Sequence, residues 1–286
     1  MGAERSAEFH TRLAEELLRP GGDWHQVVLG DVVEGSPLLA LWSGRCAAAG
    51  WRQAAAAAEV CYYLPLPSDE AALWRQLRAE HPQLARNQRR YRRRLEQNHQ
   101  AQFFGAIAAA DVAAAMGDLA RLHALARHRK NEAGNFDRSD YRAFHLELAQ
   151  RLAAAGGLYM ARLACQGATV AVLYGFSCGG VLYYYQSGFD TAMTAQGAGK
   201  VLMGWVIEDA VTRLGAREFD FLRGAEEYKT RWTAQARHTT TLLGWRGGRG
   251  LLVRQAWAWR RRAATWRARA GGLLRAARAR RRARPS

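Results

Sequence analysis

The loop Gln196-Gly197-Ala198-Gly199-Lys200 joins a β-rich run to an amphipathic helical pattern. Its glycines allow positive φ angles and let a bulky anion approach the main chain. A helix that begins here would point its first N–H groups and the positive end of its dipole at that anion. A Gly-x-Gly pattern also suits an ordinary turn, but the elements around it favour a phosphate-binding loop. We therefore predict that residues 196–200 hold a phosphorylated ligand.

The elements around this loop follow the order strand, helix, helix, three strands, helix, strand. Short glycine-containing turns between the three middle strands predict antiparallel pairing, and the helical crossover after the loop predicts a parallel last pair. A run of arginines at 86–94 precedes these elements on a predicted helix. We predict strands at 101–107, 158–163, 168–177, 181–188 and 217–222, and helices at 112–128, 139–155 and 201–214.

The first 98 residues give weaker patterns. We predict strands at 24–29, 38–42 and 60–64 there. The alanine-rich stretch 46–59 predicts a helix, because alanine has the highest helix propensity.

This element order, with the glycine loop before the last helix, resembles the core of the GNAT acyltransferases. The segments 184–190 and 219–224 are similar to signatures of the CelD-type acetyltransferases, whose relatives include the FemAB-type peptidyltransferases. Leu122-His123 and the run 86–94 stand where that family carries a Leu-His pair and a basic helix. The similarity spans about residues 70–240. The loop departs from the family, which usually has Ser-Pro-Gly where this chain has Gly197-Ala198-Gly199.

The resemblance implies an α/β GNAT fold, with a mixed, mostly antiparallel sheet flanked by helices. Proteins of this family consist of two tandem GNAT-like halves. We therefore expect a shortened N-terminal GNAT-like half at 1–98, a GNAT acyltransferase domain at 99–245 and a basic tail at 246–286. The implied donor is acetyl-CoA or another acyl-CoA, bound at residues 196–200.

A GNAT reaction needs a base for the attacking amine or hydroxyl and an acid for the leaving thiolate. The candidates lie at and just after the last predicted strand. We assign the base to Asp220 or Glu226 and the acid to Tyr228. Arg223 and Lys229 could hold an anionic group of the substrate. In the alternative interpretation, Asp220 and Arg223 form a structural ion pair.

Two further candidates for substrate binding are Trp232 and His123. Each has a structural alternative, because Trp232 could be a packing aromatic and His123 lies on the apolar face of its predicted helix. The histidines lack metal-ligand spacing with a carboxylate, so we expect no metal.

The net charge of +17 arises entirely from residues 228–286, which hold seventeen lysines and arginines and no acidic residue. The remaining chain is neutral, so nucleic acid is not expected as a partner. From Arg254 onward the tail suits either an amphipathic helix on anionic lipid or a disordered basic end. The cysteine spacing fits neither a zinc site nor a disulfide framework. We expect a cytoplasmic protein, with the tail in peripheral contact with the inner face of the membrane.

Three functions remain open. The first is acyl transfer from acyl-CoA to nitrogen or oxygen of a small molecule, such as a sugar or a polysaccharide or cell-envelope precursor, as the resemblance implies. The second is a FemAB-type transfer from aminoacyl-tRNA. The third is a non-catalytic scaffold of the same fold at the membrane.

Overall fold

The computed structural model describes residues 2–105, 107–129, 134–248, 250–252 and 255. They fall into two compact units. One takes in the residues up to Glu59 and those from His238 onward, and the other is Val60–Arg237. The tail expected at 246–286 lies outside the described residues, apart from 246–248, 250–252 and 255.

The first unit packs two helices on a short antiparallel sheet. Strands β1 (Gln26–Val33) and β8 (Ala236–Trp245) pair from Gln26 opposite Trp245 to Val33 opposite Thr239. Trp42 is buried in the core of this unit, and its indole N–H donates to the carbonyl of Leu243 at 3.2 Å. The elements are α1 (Gly2–Leu18), β1 (Gln26–Val33), α2 (Pro37–Ala48), the first part of β2 (Arg52–Pro65) and most of β8 (Ala236–Trp245).

The strand predicted at 38–42 is wrong, because these residues belong to α2. Ser36 caps this helix with its hydroxyl, which accepts the N–H of Leu38 at 3.3 Å, and Pro37 takes the first helical position. Both residues favour a helix start. The buried side chains Leu38, Trp42 and Cys46 then recur at helical spacing.

The helix predicted at 46–59 is also wrong. Helix α2 ends at Ala48, Gly50 turns the chain with a φ of 70°, and β2 begins at Arg52. The main chain of Glu59 exchanges two hydrogen bonds with the hydroxyl of Thr239 on β8, at 3.2 and 3.1 Å. Pairing in a sheet therefore overrides the intrinsic preference of alanine for a helix.

The second unit is a mixed sheet between two layers of helices. Its strands lie in the order β2, β7 (Glu218–Arg223), β6 (Val181–Phe189), β5 (Ala168–Cys178), β4 (Leu158–Cys165) and β3 (Gln102–Phe104). Neighbours are antiparallel except β6 and β7, which are parallel as predicted. The further elements are α3 (Glu70–Glu80), α4 (Pro82–His99), β3 (Gln102–Phe104), α5 (Val112–His128), α6 (Ser139–Ala154), β4 (Leu158–Cys165), β5 (Ala168–Cys178), β6 (Val181–Phe189), α7 (Ala198–Thr212), β7 (Glu218–Arg223) and α8 (Glu227–Thr230).

Successive side chains of the strands point to opposite faces of this sheet. Leu173 and Phe219 belong to the core under α3, α4 and α7. Val172 and Tyr174 belong to the core under α5 and α6. The predicted order of strands and helices from 101 to 222 is thus confirmed. Contacts group α3 and α4 with this later part of the chain, although the sequence assigned them to the first 98 residues.

Among the helices of the described chain, none combines the length and the apolar character that crossing a bilayer would require.

Candidate functional site

Strands β6 and β7 separate at one edge of the sheet. Their pairing joins residues 181–183 to 218–220 and stops there, although β6 continues to Phe189 and β7 to Arg223. The carboxyl ends of parallel strands lie at the same edge, so the two unpaired ends flank one gap. A ligand in this gap would meet main-chain groups that the β6–β7 ladder leaves unused.

A cleft of about 640 Å³ lies at this gap. Helix α4, the second half of β6, the start of α7 and the segment after β7 all contribute to its walls. The residues that line it include Gln88, Tyr91, Tyr184, Ser187, Gly197, Ala198, Gly199, Lys200, Tyr228 and Trp232.

The glycine loop forms the start of α7, three residues earlier than predicted. Gly197 is the N-cap with a φ of 79°, and a Cβ atom there would lie 2.7 Å from the ring of Tyr91. The carbonyl of Gly197 accepts the N–H groups of Lys200 and Val201, each at 3.0 Å. The N–H groups of Ala198 and Gly199, which precede these in the first turn of the helix, have no main-chain acceptor among the described residues.

Lys200 adds a positive charge beside these N–H groups. Its side chain is exposed, and its ammonium lies 4.9 Å from the ring centre of Tyr91. The charge of Lys200 lowers the pKa of the Tyr91 phenol, and a nearby Arg90 acts in the same direction. The start of α7 thus combines backbone donors, a helix dipole and a lysine, which together suit a phosphate group.

Three side chains with hydroxyl groups lie together at the other side of the cleft. The phenol of Tyr184 lies 2.6 Å from the hydroxyl of Ser187, and the rings of Tyr184 and Tyr228 meet edge to face with their centres 6.4 Å apart. Burial raises the pKa of both phenols. Because each phenol keeps its proton at neutral pH, the pair can donate hydrogen bonds to a group in the cleft.

A model of the acetyltransferase (GNAT) domain matches residues 83–230, which is more than half of the chain. This protein belongs to the GNAT acetyltransferase family. The match covers most of the residues that line the cleft, on α4, β6, α7 and α8. No curated protein matches the chain.

Solved structures share the fold of this GNAT protein at low sequence identity. FemX is 9% identical with a TM-score of 0.59, over 87% of this chain and 78% of FemX. A conserved protein of unknown function from Bacteroides thetaiotaomicron is 12% identical with a TM-score of 0.54, over 84% and 75% of the two chains. L-PGS from Bacillus licheniformis is 14% identical with a TM-score of 0.50, over 82% and 72%. At these identities the likeness concerns the fold.

The turn after β7 is fixed by Lys229. Its ammonium is buried and donates to the carbonyls of Leu222, Arg223 and Gly224 at 3.2, 2.6 and 3.3 Å. It also pairs with the carboxylate of Glu226 at 2.9 Å. These contacts occupy the donors of Lys229, so in this GNAT protein the residue holds the turn that carries its neighbour Tyr228.

Glu226 lies close to the pair of phenols. Its side chain is more than half exposed, and its charge contributes to the raised pKa of both Tyr184 and Tyr228. Glu226 therefore has access to solvent and proximity to the cleft, although it is not part of the cleft wall.

Asp220 lies on the opposite face of β7 from the buried rings of Phe219 and Phe221. Its carboxylate is buried and accepts the N–H of Leu222 at 2.7 Å. Burial raises the pKa of Asp220, while that hydrogen bond and the charge of Arg237 oppose the rise. Tyr228 and Trp232 thus line the cleft, whereas Asp220 lies on the other face of the sheet.

His123 is buried in α5, in the helical layer on the other face of the sheet. Its ring lies 5.4 Å from that of Phe136, and within the described chain no partner reaches its Nδ1. Burial lowers the pKa of His123. A Cβ at Gly188 would collide with the backbone of Leu122-His123, so this pair and Gly188 let α5 pack closely on β6.

Two other predicted residues lie outside the wall of the cleft. Arg223 is exposed at the end of β7, and its charge acts on the phenol of Tyr185. Gln196 precedes the cap of α7, and its side-chain oxygen is buried without a donor among the described residues.

Several residues of the cleft were not singled out from the sequence. Tyr184 and Ser187 stand in the segment 184–190 that carries the family resemblance, and Gln88 and Tyr91 stand in the arginine run. The sequence motifs that contain them were recognised, but not their place in the cleft, because their contacts depend on how α4 crosses the start of α7. In the described part of the chain, no group of three or more His, Cys, Asp or Glu side chains could hold a metal ion.

Proposed function

We propose that this protein is an N- or O-acyltransferase that takes its acyl group, in the simplest case acetyl, from acyl-CoA. The observation that carries the proposal is the cleft at the β6–β7 gap, with backbone donors at one side and a pair of phenols at the other. Membership of the GNAT family supports a transferase, and the geometry supports the donor.

The donor fits the cleft in two parts. Its pyrophosphate would bind the free N–H groups of Ala198 and Gly199, with Lys200 beside them. Its acyl arm would then enter the gap between β6 and β7, towards Tyr184 and Tyr228. This arrangement supports a donor that carries both a phosphate and a flexible arm.

The chemistry is direct attack by an amine or hydroxyl on the thioester carbonyl. In our proposal Glu226 accepts the proton of the nucleophile, because it is exposed and acts on the phenols electrostatically. Tyr228 donates its phenolic proton to the departing sulfur, which leaves as the free thiol, and Tyr184 holds the phenol of Tyr228 in place. The phenolate is then reprotonated from solvent. Asp220 would instead stabilise the turn that follows it, through the N–H of Leu222.

The acceptor is proposed from the resemblance to the CelD-type family. It would be an amine or hydroxyl of a sugar or of a polysaccharide or cell-envelope precursor. Trp232 is buried in the cleft wall and would pack against the substrate, whereas Arg223 is exposed nearby and could meet an anionic group. The seventeen basic side chains of 228–286 support a cytoplasmic protein whose tail contacts an anionic membrane surface.

The test is release of free thiol from acetyl-CoA in the presence of a panel of amino sugars and polyols. We expect Glu226→Gln and Tyr228→Phe each to lower kcat by about 10²-fold, the effect usual for a lost acid or base. Asp220→Asn is the matched control, since it makes the same change on the other face of β7 and should keep kcat within about twofold. Wild-type rates in both Glu226→Gln and Tyr228→Phe would refute the assigned roles.

A further inference from the structure

Helix α4 carries five exposed arginines on one side. The side chains of Ala85, Gln88 and Leu95 mark its buried side. At 3.6 residues per turn the arginines fall on the opposite side, along about 12 Å of the helix axis. We call this surface the arginine face, and it consists of Arg86, Arg89, Arg90, Arg93 and Arg94.

The arginine face is not neutralised by the protein itself. In the part of the chain that the structure describes, none of its five guanidinium groups pairs with a carboxylate. Arg86 and Arg90 donate to neutral side-chain amides one turn earlier, at 2.9 and 3.3 Å. The one acidic residue of α4, Glu96, pairs at 3.2 Å with Arg92, which lies outside the face.

Five other helices compensate an exposed arginine with a carboxylate three or four residues away. These pairs lie on or at the end of α1, α5, α6, α7 and α8, and they are Arg12–Glu8, Arg121–Asp118, Arg151–Glu147, Arg213–Asp209 and Arg231–Glu227. On α4, five pairs of arginines stand at these same spacings. Like charges so placed repel each other and destabilise a helix. An anionic partner that covers the arginine face would relieve this repulsion.

We propose that the arginine face docks on the surface of an anionic phospholipid bilayer. Guanidinium groups spread along a convex helix contact several phosphate groups at once, and each matches phosphate oxygens in pairs. The amides of Gln83, Asn87 and Gln97 stand beside the arginines and add further hydrogen-bond donors. The contact is therefore with lipid headgroups and is electrostatic. The inference goes beyond acyl transfer and does not depend on the identity of the donor.

RNA fits the arginine face less well than a bilayer does. Proteins hold single-stranded RNA largely by stacking its bases on exposed aromatic rings. The aromatic residue within the arginine run, Tyr91, is half-buried and lines the cleft, where the ammonium of Lys200 lies 4.9 Å from its ring centre. A specific protein partner would also need an anchoring aromatic or aliphatic side chain.

Docking through α4 would bring the cleft close to the membrane. The buried side of the helix contributes Gln88 and Tyr91 to the cleft wall. A bilayer on the arginine face would therefore lie about 10 Å from the cleft, which is the diameter of one helix. This places the cleft near a cell-envelope precursor at the membrane, a consequence that rests on the proposed function.

The experiment measures binding of the full chain to phosphatidylcholine vesicles that contain about one third phosphatidylglycerol. One variant combines three substitutions on the arginine face at positions that do not line the cleft, Arg90→Gln, Arg93→Gln and Arg94→Gln. We expect it to bind about 100-fold more weakly than wild type, since each arginine near an anionic surface contributes about fivefold.

The matched control removes the same number of charges from three exposed, ion-paired positions on other helices, Arg12→Gln, Arg121→Gln and Arg151→Gln. It should bind within about threefold of wild type, because these arginines are already neutralised by their partners. Equal losses in the two variants would mean that net charge alone drives binding, and would overturn the inference. Failure of wild type to bind these vesicles would overturn it as well.

Two further measurements on the α4 variant complete the test. Its Tm should equal or exceed that of wild type, because repulsion along the helix is reduced. A lower Tm would show that these arginines stabilise the chain itself, and would contradict the inference. So would a variant that binds vesicles as wild type does but loses affinity for transfer RNA. These assays use no acyl-CoA, so their failure leaves the proposed function intact.

Discussion

The side-chain amide of Gln88 donates to the main-chain carbonyl of Lys200 at 2.8 Å, and so ties the arginine-rich helix α4 to the phosphate loop. Gln88 is buried, and its other amide atom lies against Gly204, where a Cβ would approach within 2.6 Å. The absence of a side chain at Gly204 is thus what lets α4 come close enough for this bond. The loop is fixed by a helix about one hundred residues away in the sequence.

Replacing Gln88 by Leu should remove this bond and leave the Lys200 carbonyl with only its partner within helix α7. We expect the free energy of unfolding to fall by about 1–2 kcal/mol, and acetyl-CoA to bind more weakly because the loop is less well held. Denaturant unfolding and titration measure the two effects. Gln97→Leu, on an exposed position of the same helix, should change neither quantity. If Gln88→Leu bound acetyl-CoA as tightly as wild type does, the contact between α4 and the loop would make no contribution to donor binding.

The conformation of Gly197 predicts that alanine is poorly tolerated there. A φ of 79° is strained for any L side chain, at about 1–2 kcal/mol, and the new methyl would also press on Tyr91. Gly21 is the matched control, since its φ is 80° and a Cβ there meets nothing within 4 Å. Gly197→Ala should therefore lower the unfolding free energy more than Gly21→Ala does. Equal losses would show that the contact with Tyr91 is without energetic consequence.

Replacing Lys229 by Met should unfold the turn after β7. Three carbonyls and the half-exposed carboxylate of Glu226 would lose their common donor. Since hydrogen bonds to a charged group are worth about 1.5–3 kcal/mol each, the loss should reach about 3 kcal/mol or more. Thermal unfolding should show a large drop in Tm, whereas Glu226→Gln, which alters a half-exposed ion pair, should change stability by less than about 1 kcal/mol. If Lys229→Met kept wild-type stability but lost only catalysis, Lys229 would be a substrate ligand after all.

The buried imidazole of His123 predicts a pH dependence of stability. Burial holds its pKa below the usual 6.5, with Arg127 lowering and Asp137 raising it. Folding therefore favours the neutral ring, so this stabilisation is present above about pH 6.5 and is lost as pH falls through the folded pKa. Between pH 8 and pH 5, wild type should lose more unfolding free energy than His123→Gln. Identical pH profiles of the two proteins would mean that His123 titrates normally when folded.

The sequence predicted the elements best where local pattern and tertiary contacts agree. Helix α5 has its predicted bounds, and the parallel pairing of β6 and β7 follows from the crossover through α7. In residues 52–59 local pattern and tertiary contacts disagree. Five consecutive alanines favour a helix, but these residues belong to β2, which pairs with β8. Helix α2 was missed because a short apolar run such as 38–42 suits a buried strand as well as a helix. The cap at Ser36 is the signal that favours the helix.

The part of the site that consists of main-chain groups could be predicted from the sequence. Glycines before an amphipathic helix identified the start of α7, since the donors there are main-chain groups. The roles of side chains depend on which face of β7 each one occupies and on what the turn after it binds. Asp220 and Tyr228 are only eight positions apart, yet they lie on opposite sides of the sheet. Lys229 looks like a substrate ligand in the sequence, and its three carbonyl contacts appear only in the fold.

The most direct test of an acyl-CoA site at the start of α7 is calorimetric titration of acetyl-CoA into wild type, Gly199→Asp and Gly117→Asp. Gly117 is exposed in α5 with open space around it, so it adds the same charge away from the cleft. We predict that wild type and Gly117→Asp bind acetyl-CoA with dissociation constants in the range of about 1 μM to 1 mM. Gly199→Asp should bind at least about 100-fold more weakly, because its carboxylate repels the phosphates. Folded wild type that gives no heat with acetyl-CoA but binds charged tRNA, or Gly199→Asp that binds as wild type does, would contradict the account.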